Sequence, residues 1–223
     1  MHSEAGLMFM QEKDVRQEKI QEQKIYLVRH ARPELPHGGG VYYGRTDYPL
    51  SQEGIASAET LGAAMSGLNF SHIYTSPLIR ARQTAKLIAP GRTKDMHVSK
   101  DLQEISLGEW EGKTYDEVRD QWNEVYEQRG LSFAVTAPPG GECFADVQKR
   151  AVPAFEKILK ACPNGDILIV AHGGVIWTIM CRYFCFDLNE LFLYPMNYCG
   201  VHVVCRTDGM MRLLKYNWQP QLA

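Results

Sequence analysis

The fold class this sequence predicts is α/β, with a mostly parallel sheet and one antiparallel edge. Three observations carry it. Short β-rich apolar runs, Lys24 to Val28, His72 to Thr75 and Asp166 to Ala171, are each followed by a segment of helical character. Such runs, apolar without strict alternation, are those of strands covered on both faces by helices. Late in the chain, Val201 to Arg206 and Met211 to Tyr216 alternate around Thr207-Asp208-Gly209, the pattern of a hairpin.

The elements follow in order. Residues 1–23 are polar, with Met8, Phe9 and Met10 as their only apolar cluster, and read as a mobile extension preceding a single domain of residues 24–223. The first strand ends at Arg29-His30, and a glycine-rich loop from Gly38 to Gly44 follows. Ser51 suits the N-cap of a helix to about Ser66, with Ile55, Ala58, Leu61 and Met65 on one face. Pro77 suits the first turn of a helix carrying Arg80 to Ile88, and Val98 belongs to a short strand. Thr114-Tyr-Asp-Glu117 has capping-box form and opens a helix expected to reach Gln128. After the Pro138-Pro-Gly-Gly141 turn, a helix from Glu142 to Ala161 contains Pro153, which should kink or divide it. His172-Gly-Gly174 turns the third strand into a helix to about Tyr183.

Composition narrows the function classes. The net charge of −2 over 223 residues gives no basic field for nucleic acid or an anionic membrane, so an anionic ligand must be held by a local arginine cluster. No apolar run is long enough to span a bilayer, and the first residues lack a signal-peptide core, so a cytoplasmic location is expected. The six cysteines contain no Cys-x-x-Cys pair and read as reduced thiols. Cys181 and Cys185, four apart on a helix, lack further ligands, so no metal and no cofactor are inferred.

In open α/β sheets ligands bind beyond the carboxyl ends of the strands. His30, Ser76 and His172 all fall just past predicted strand ends, and Arg29 and Arg80 lie beside two of those ends. Each alone is ordinary: a hydrogen-bonded histidine, a solvated helix arginine, a surface acid at Glu104. Together, two histidines and two arginines suit a phosphate dianion, because guanidinium forks match its oxygens and a neutral imidazole can attack phosphorus. Glu104, in a loop-like segment, is placed to protonate a leaving oxygen.

Five blocks turn this into a resemblance. Leu27-Val-Arg-His-Ala-Arg-Pro-Glu34, Gly44-Arg-Thr-Asp-Tyr-Pro-Leu-Ser-Gln-Glu-Gly54, Thr75-Ser-Pro-Leu-Ile-Arg-Ala-Arg-Gln-Thr-Ala85, Leu102-Gln-Glu-Ile-Ser-Leu-Gly-Glu-Trp-Glu-Gly112 and Val170-Ala-His-Gly-Gly174 resemble, in order, the signature segments of the histidine-phosphatase superfamily, also called phosphoglycerate-mutase-like. The resemblance implies a three-layer αβα sandwich and a phosphohistidine intermediate. It makes His30 the nucleophile and Glu104 the proton donor. Arg29, Arg80 and His172 would bind the phosphoryl group, with Tyr43 and Gly44 approaching it. Ala31 replaces the usual glycine after the nucleophile, harmless at negative φ and strained at positive φ. The usual asparagine a few residues later has no counterpart.

The mutase members carry longer signature segments that this chain lacks, and the pattern is nearest to α-ribazole phosphatases and broad-specificity phosphatases. The partners expected are a small phosphomonoester, α-ribazole 5′-phosphate first among them, and at most a second copy of the chain. A mutase and a non-catalytic phospho-ligand-binding relative are the alternatives. Residues 105–145 are expected to form a lid carrying Trp110, Trp122, Tyr126 and Phe133, rings that stack on a flat leaving group or pack the lid itself.

Overall fold

A computed structural model describes residues 22–92 and 95–220, so the expected extension lies outside the described residues except at its end. There the strand begins one residue earlier than expected. Gln23 is buried and its side-chain amide donates to Cys162 O and Gly165 O, which pins the chain's entry into the sheet.

Six strands form one sheet in the order β3-β2-β4-β1-β5-β6: β1 Gln23–Arg29, β2 Phe70–Thr75, β3 Met96–Val98, β4 Asp166–Ala171, β5 Val201–Thr207 and β6 Met210–Trp218. The first four are mutually parallel, while β5 runs antiparallel to β1 and pairs with β6 as the edge hairpin. Asp208 and Gly209, both at positive φ, form its two-residue turn.

Period-two alternation divides the core. Ile25, Leu27, Ile167 and Ile169 face helices α5 (Phe144–Ala161) and α6 (Gly173–Phe184). Tyr26, Val28, Leu168 and Val170 face α1 (Gln52–Ala64) and α2 (Ile79–Ile88). Both faces of the central strands are thus covered, which is the three-layer αβα arrangement.

Local details correct three expectations. Pro77 precedes the N-cap of α2, whose Ile79 N–H is instead received by Asp47 Oδ1 at 2.8 Å, tying this helix start to the loop after β1. The capping box at Thr114 forms, but the helix breaks into α3 (Tyr115–Gln121) and α4 (Asn123–Leu131), because Trp122 leaves helical geometry and packs its ring against the core. Pro153 does not divide α5. It lies on the exposed face, where water can serve the carbonyl its ring leaves unbonded.

Candidate active site

Because β2, β4 and β1 are neighbours, the residues just beyond their carboxyl ends lie side by side. Ser76 N–H donates to Val170 O at 3.1 Å and His30 N–H to Ala171 O at 2.9 Å, and the rings of His30 and His172 stand 5.0 Å apart.

His30 is buried, and its two ring nitrogens have opposite roles. Nδ1 lies 2.8 Å from Ala31 O, which can only accept, so Nδ1 carries the proton. Nε2 receives Arg80 Nε at 3.3 Å and so holds its lone pair. Burial and then the charges of Arg80 and Arg29 hold its pKa well below the usual histidine value, against the pull of the Ala31 carbonyl. The ring is a neutral imidazole whose lone pair sits on Nε2. Ala31 has negative φ, so its departure from the family glycine adds no strain, and its N–H donates to Thr84 Oγ1 at 2.9 Å.

Arg80 is fully buried and held by the loop after β1. It donates through Nη1 to Thr46 O at 2.8 Å and through Nη2 to Gly44 O, with Asp47 Oδ1 3.9 Å away. Each Nη keeps one further proton for a ligand. The loop is in turn held by Glu111. Its carboxylate accepts from the N–H groups of Gly44, Arg45, Thr46 and Leu107 and from Thr46 Oγ1, at 2.6–3.1 Å. Burial would raise the Glu111 pKa, but these hydrogen bonds bring it below the usual carboxylate value. The N–H of Gly44 is thereby committed to Glu111. Gly44 grips Arg80 through its carbonyl and is not positioned as a phosphate donor, which corrects the expectation. A side chain there would meet Ile105 O at 2.0 Å.

Arg29 stacks on the Tyr198 ring, 4.1 Å from its centre, and donates to Met196 O. Its Nε is buried without a partner among the described residues. Tyr43 hydrogen-bonds Tyr198 hydroxyl to hydroxyl and lies 5.4 Å from the Arg80 guanidinium carbon, so it steadies both arginines from one side. His172 Nε2 lies 2.7 Å from Ser76 Oγ, which accepts Leu78 N–H and has no other acceptor for its own proton among the described residues, so the hydroxyl donates to the ring. The His172 proton then sits on Nδ1, a buried atom with no partner among the described residues.

Glu104 rests on the start of α6. Its Oε2 accepts Gly174 N–H at 3.2 Å and its Oε1 accepts Ile105 N–H at 2.9 Å. Gly174 leaves the room: a Cβ there would come 2.6 Å from Glu104 Oε1. Arg150 of α5 fixes the backbone beneath, donating to Asp101 O, Gln103 O and Glu104 O while it grips Glu142 with two bonds of 3.0 Å.

A sequence model described as histidine phosphatase superfamily (branch 1) matches residues 25–219, nearly the whole described chain. The chain belongs to the histidine phosphatase superfamily. It is 29% identical to the adenosylcobalamin/alpha-ribazole phosphatase of Salmonella typhimurium over 89% of this chain and all of that one. It is 32% identical to the putative phosphoserine phosphatase 2 of Hydrogenobacter thermophilus, covering 80% of this chain and 87% of the relative. Bacillus stearothermophilus YhfR, 32% identical, superposes with a TM-score of 0.79 over 86% of this chain and 95% of that one.

In this histidine phosphatase a cavity of about 390 Å³ adjoins the recess that holds His30. Arg29, Tyr42, Tyr43 and Glu104 line it where it meets the His30 recess, and Arg129, Phe133, Phe144 and Phe192 line it elsewhere. That recess is the smaller of the two. Glu104 is the one acid lining either space among the described residues. The rings expected on a lid divide. Trp110 is 1% exposed and belongs to the main core, so it is removed from the ligand, whereas Phe133 lines the cavity. Sequence reasoning missed Tyr198, Arg129 and Arg150 as parts of the site, and it missed the hold of Glu111 on the loop, having weighed that residue only as a fallback proton donor. Glu111 lay inside a quoted motif, but nothing in its spacing said what it accepts.

Proposed function

We propose that this chain hydrolyses phosphomonoesters through a phosphohistidine on His30, without a metal. The carrying observation is the His30 ring itself: neutral, protonated at Nδ1, with the Nε2 lone pair facing the Arg80 guanidinium. A phosphoryl group docked on Arg80, Arg29 Nε and His172 Nδ1 takes over the Arg80 donor and frees that lone pair. Nε2 then bonds to phosphorus as the bond to the leaving oxygen breaks, and protonated Glu104 gives that oxygen its proton. Water attacks next, giving its proton to the Glu104 carboxylate. The P–N bond breaks, and phosphate leaves with His30 neutral and Glu104 again an acid.

The charge that builds on the phosphoryl oxygens is met by two guanidiniums and an imidazole N–H, the part a metal ion plays in other phosphatases. Among the described residues no three His, Cys, Asp or Glu side chains gather as metal ligands. The cavity rings support an aromatic or apolar leaving group. α-Ribazole 5′-phosphate, in keeping with the Salmonella relative's name, is the first ester to assay. A cytoplasmic setting and the lid role of residues 105–145 belong to the same reading.

Rapid quenching during turnover should trap one phosphoryl group on His30, stable to alkali and labile to acid. His30→Ala should lose both label and turnover. Activity should persist in excess EDTA. Label on His172, or full turnover by His30→Ala, would overturn the assignment.

A further inference from the structure

Away from the active site, one apolar surface of the sheet has no cover among the described residues. Helices α1 and α2 pack on the face that carries Tyr26 and Val28, while β6, at the sheet's edge, is left half-covered, with Leu214 41% exposed. A groove of about 340 Å³ lies between them and shares no residue with the cavities at His30. Tyr26 and Val203 form its floor, Met65 and Leu68 just past α1 form one wall, and Leu214 and Trp218 form the other. Lys24 and Lys215 stand exposed at its rim, and neither meets a carboxylate among the described residues. The Lys215 ammonium instead lies 4.8 Å from the centre of the Trp218 ring.

The chain itself supplies an occupant. Residues 1–21 lie outside the described residues and lead into the sheet at Glu22, whose carboxylate meets Arg212 of β6 at 3.3 Å. Two residues on, Lys24 already lines the groove, so the chain before Glu22 arrives at the groove's end. From Lys24 to the Trp218 end, level with Val28, is four strand residues, about 13 Å. The stretch from Met10 to Glu22 reaches about 18 Å as a helix and up to about 40 Å extended, so either form lays the apolar cluster Met8-Phe9-Met10 over the groove. Phenylalanine brings large apolar area, and methionine fits irregular gaps. Glu4 precedes the cluster and Glu12 and Asp14 follow it, acids that answer the two rim lysines. Arg212 and Lys215, exposed on the edge strand, oppose its pairing with a second copy of the chain. We propose that residues 1–21 fold back along the sheet and seat Met8-Phe9-Met10 in this groove. The tether sets an effective concentration in the millimolar range, so even a weak contact stays occupied.

Photocrosslinking in the full chain tests it. With p-benzoylphenylalanine in place of Phe9, irradiation of dilute protein should join position 9 to Met65, Leu68 or β6 within one chain, as mapped by mass spectrometry of the digest. Leu68→Glu and Leu214→Glu change half-exposed positions and put an acid where the apolar cluster is to sit. Each should cut that yield at least roughly fivefold. Met8→Ser, Phe9→Ser and Met10→Ser together lie outside the described domain and leave its own packing intact. They should lower the melting temperature by about 2–4 °C, the shift that losing a modest apolar contact produces in a chain of this size. No turnover is measured, so the outcome is independent of the hydrolase reading. Crosslinks between two chains, with a yield that rises with concentration, would give the groove to a second copy and overturn the proposal. So would crosslinks scattered outside the groove, a yield unmoved by both groove variants, or a melting temperature unmoved by the serine variant.

Discussion

Arg80 Nε donates to His30 Nε2 at 3.3 Å, so the cation proposed to hold the phosphate also holds the lone pair of the proposed nucleophile. The contact aims the ring, and the guanidinium charge keeps it unprotonated. Arg80→Ala should therefore do two separable things. It should cut kcat/KM for every phosphomonoester by roughly 10²–10³-fold, the range for losing a transition-state donor. It should also move the acid limb of the pH profile upward. Burial is the larger cause of the lowered His30 pKa and Arg80 the next, so removing the charge raises that pKa toward, but not to, the ordinary value. An acid limb that stays in place while the rate falls would mean that Arg80 only binds.

The strands and the gathering of His30, His172, Arg29 and Arg80 beyond their ends were legible in the sequence, while the roles proposed for them and for Glu104 come from the family resemblance. These four residues sit at breaks in hydrophobic periodicity, where a buried run meets a charged residue. The second tier was not legible. Glu111 acts through five hydrogen bonds to loop backbone and one threonine, and Tyr198 stacks on Arg29 from an irregular stretch before β5. Neither has a period or a spacing, because backbone donors are present at every position and the fold alone selects which ones converge. The break at Trp122 was hidden for a related reason: the capping signal marks where α3 starts, while its end is decided by a ring packing against the core.

Glu104 is tested by leaving groups. Glu104→Gln should slow esters of aliphatic alcohols by roughly 10²–10⁴-fold, the usual worth of general acid catalysis, and p-nitrophenyl phosphate far less. Gly174→Ala offers the same test from another side. Its Cβ would press on Glu104 Oε1 and the Phe144 ring, while the helix itself tolerates alanine well. Its losses should follow the same leaving-group order as those of Glu104→Gln, and equal losses on both ester types would assign Glu104 a positional part.

Glu111 is a positioning residue, and Glu111→Gln isolates it. Glutamine offers one oxygen where five donors converge, and its amide would face backbone N–H groups already pointing inward. The loop bearing Gly44 and Thr46 should loosen its hold on Arg80. Stability should fall by about 1–3 kcal/mol, the cost of leaving buried donors unmet. Activity should fall on acidic, neutral and activated esters alike. Selective loss on poor leaving groups would instead make Glu111 the proton donor.

The last expectation concerns acid stability and rests on His202. It is fully buried on β5, Nδ1 accepts Asn217 N–H at 3.3 Å, and Nε2 has no acceptor among the described residues. Burial lowers its pKa to about 4. The unfolded chain titrates near the ordinary histidine value of about 6.5, so between these values the unfolded state holds a proton that the folded state lacks. Stability must then fall as pH drops through this window, by up to about 3 kcal/mol from this residue, with no further loss from it below about pH 4. His30 and His172 act in the same direction. Glu111 and Glu142 have lowered pKa values, so their contribution is present above the ordinary carboxylate range, about pH 4.5, and fades only below it. The interval from pH 6.5 to 4.5 thus belongs to the histidines. His202→Asn keeps an acceptor for Asn217 and removes the titrating ring. It should be less stable at pH 7 through lost packing, yet decline less steeply between pH 6.5 and 4.5 than the parent protein. Urea midpoints at several pH values, with the denaturant slope checked for constancy, give both curves. Parallel declines would show that His202 is not neutral in the folded protein.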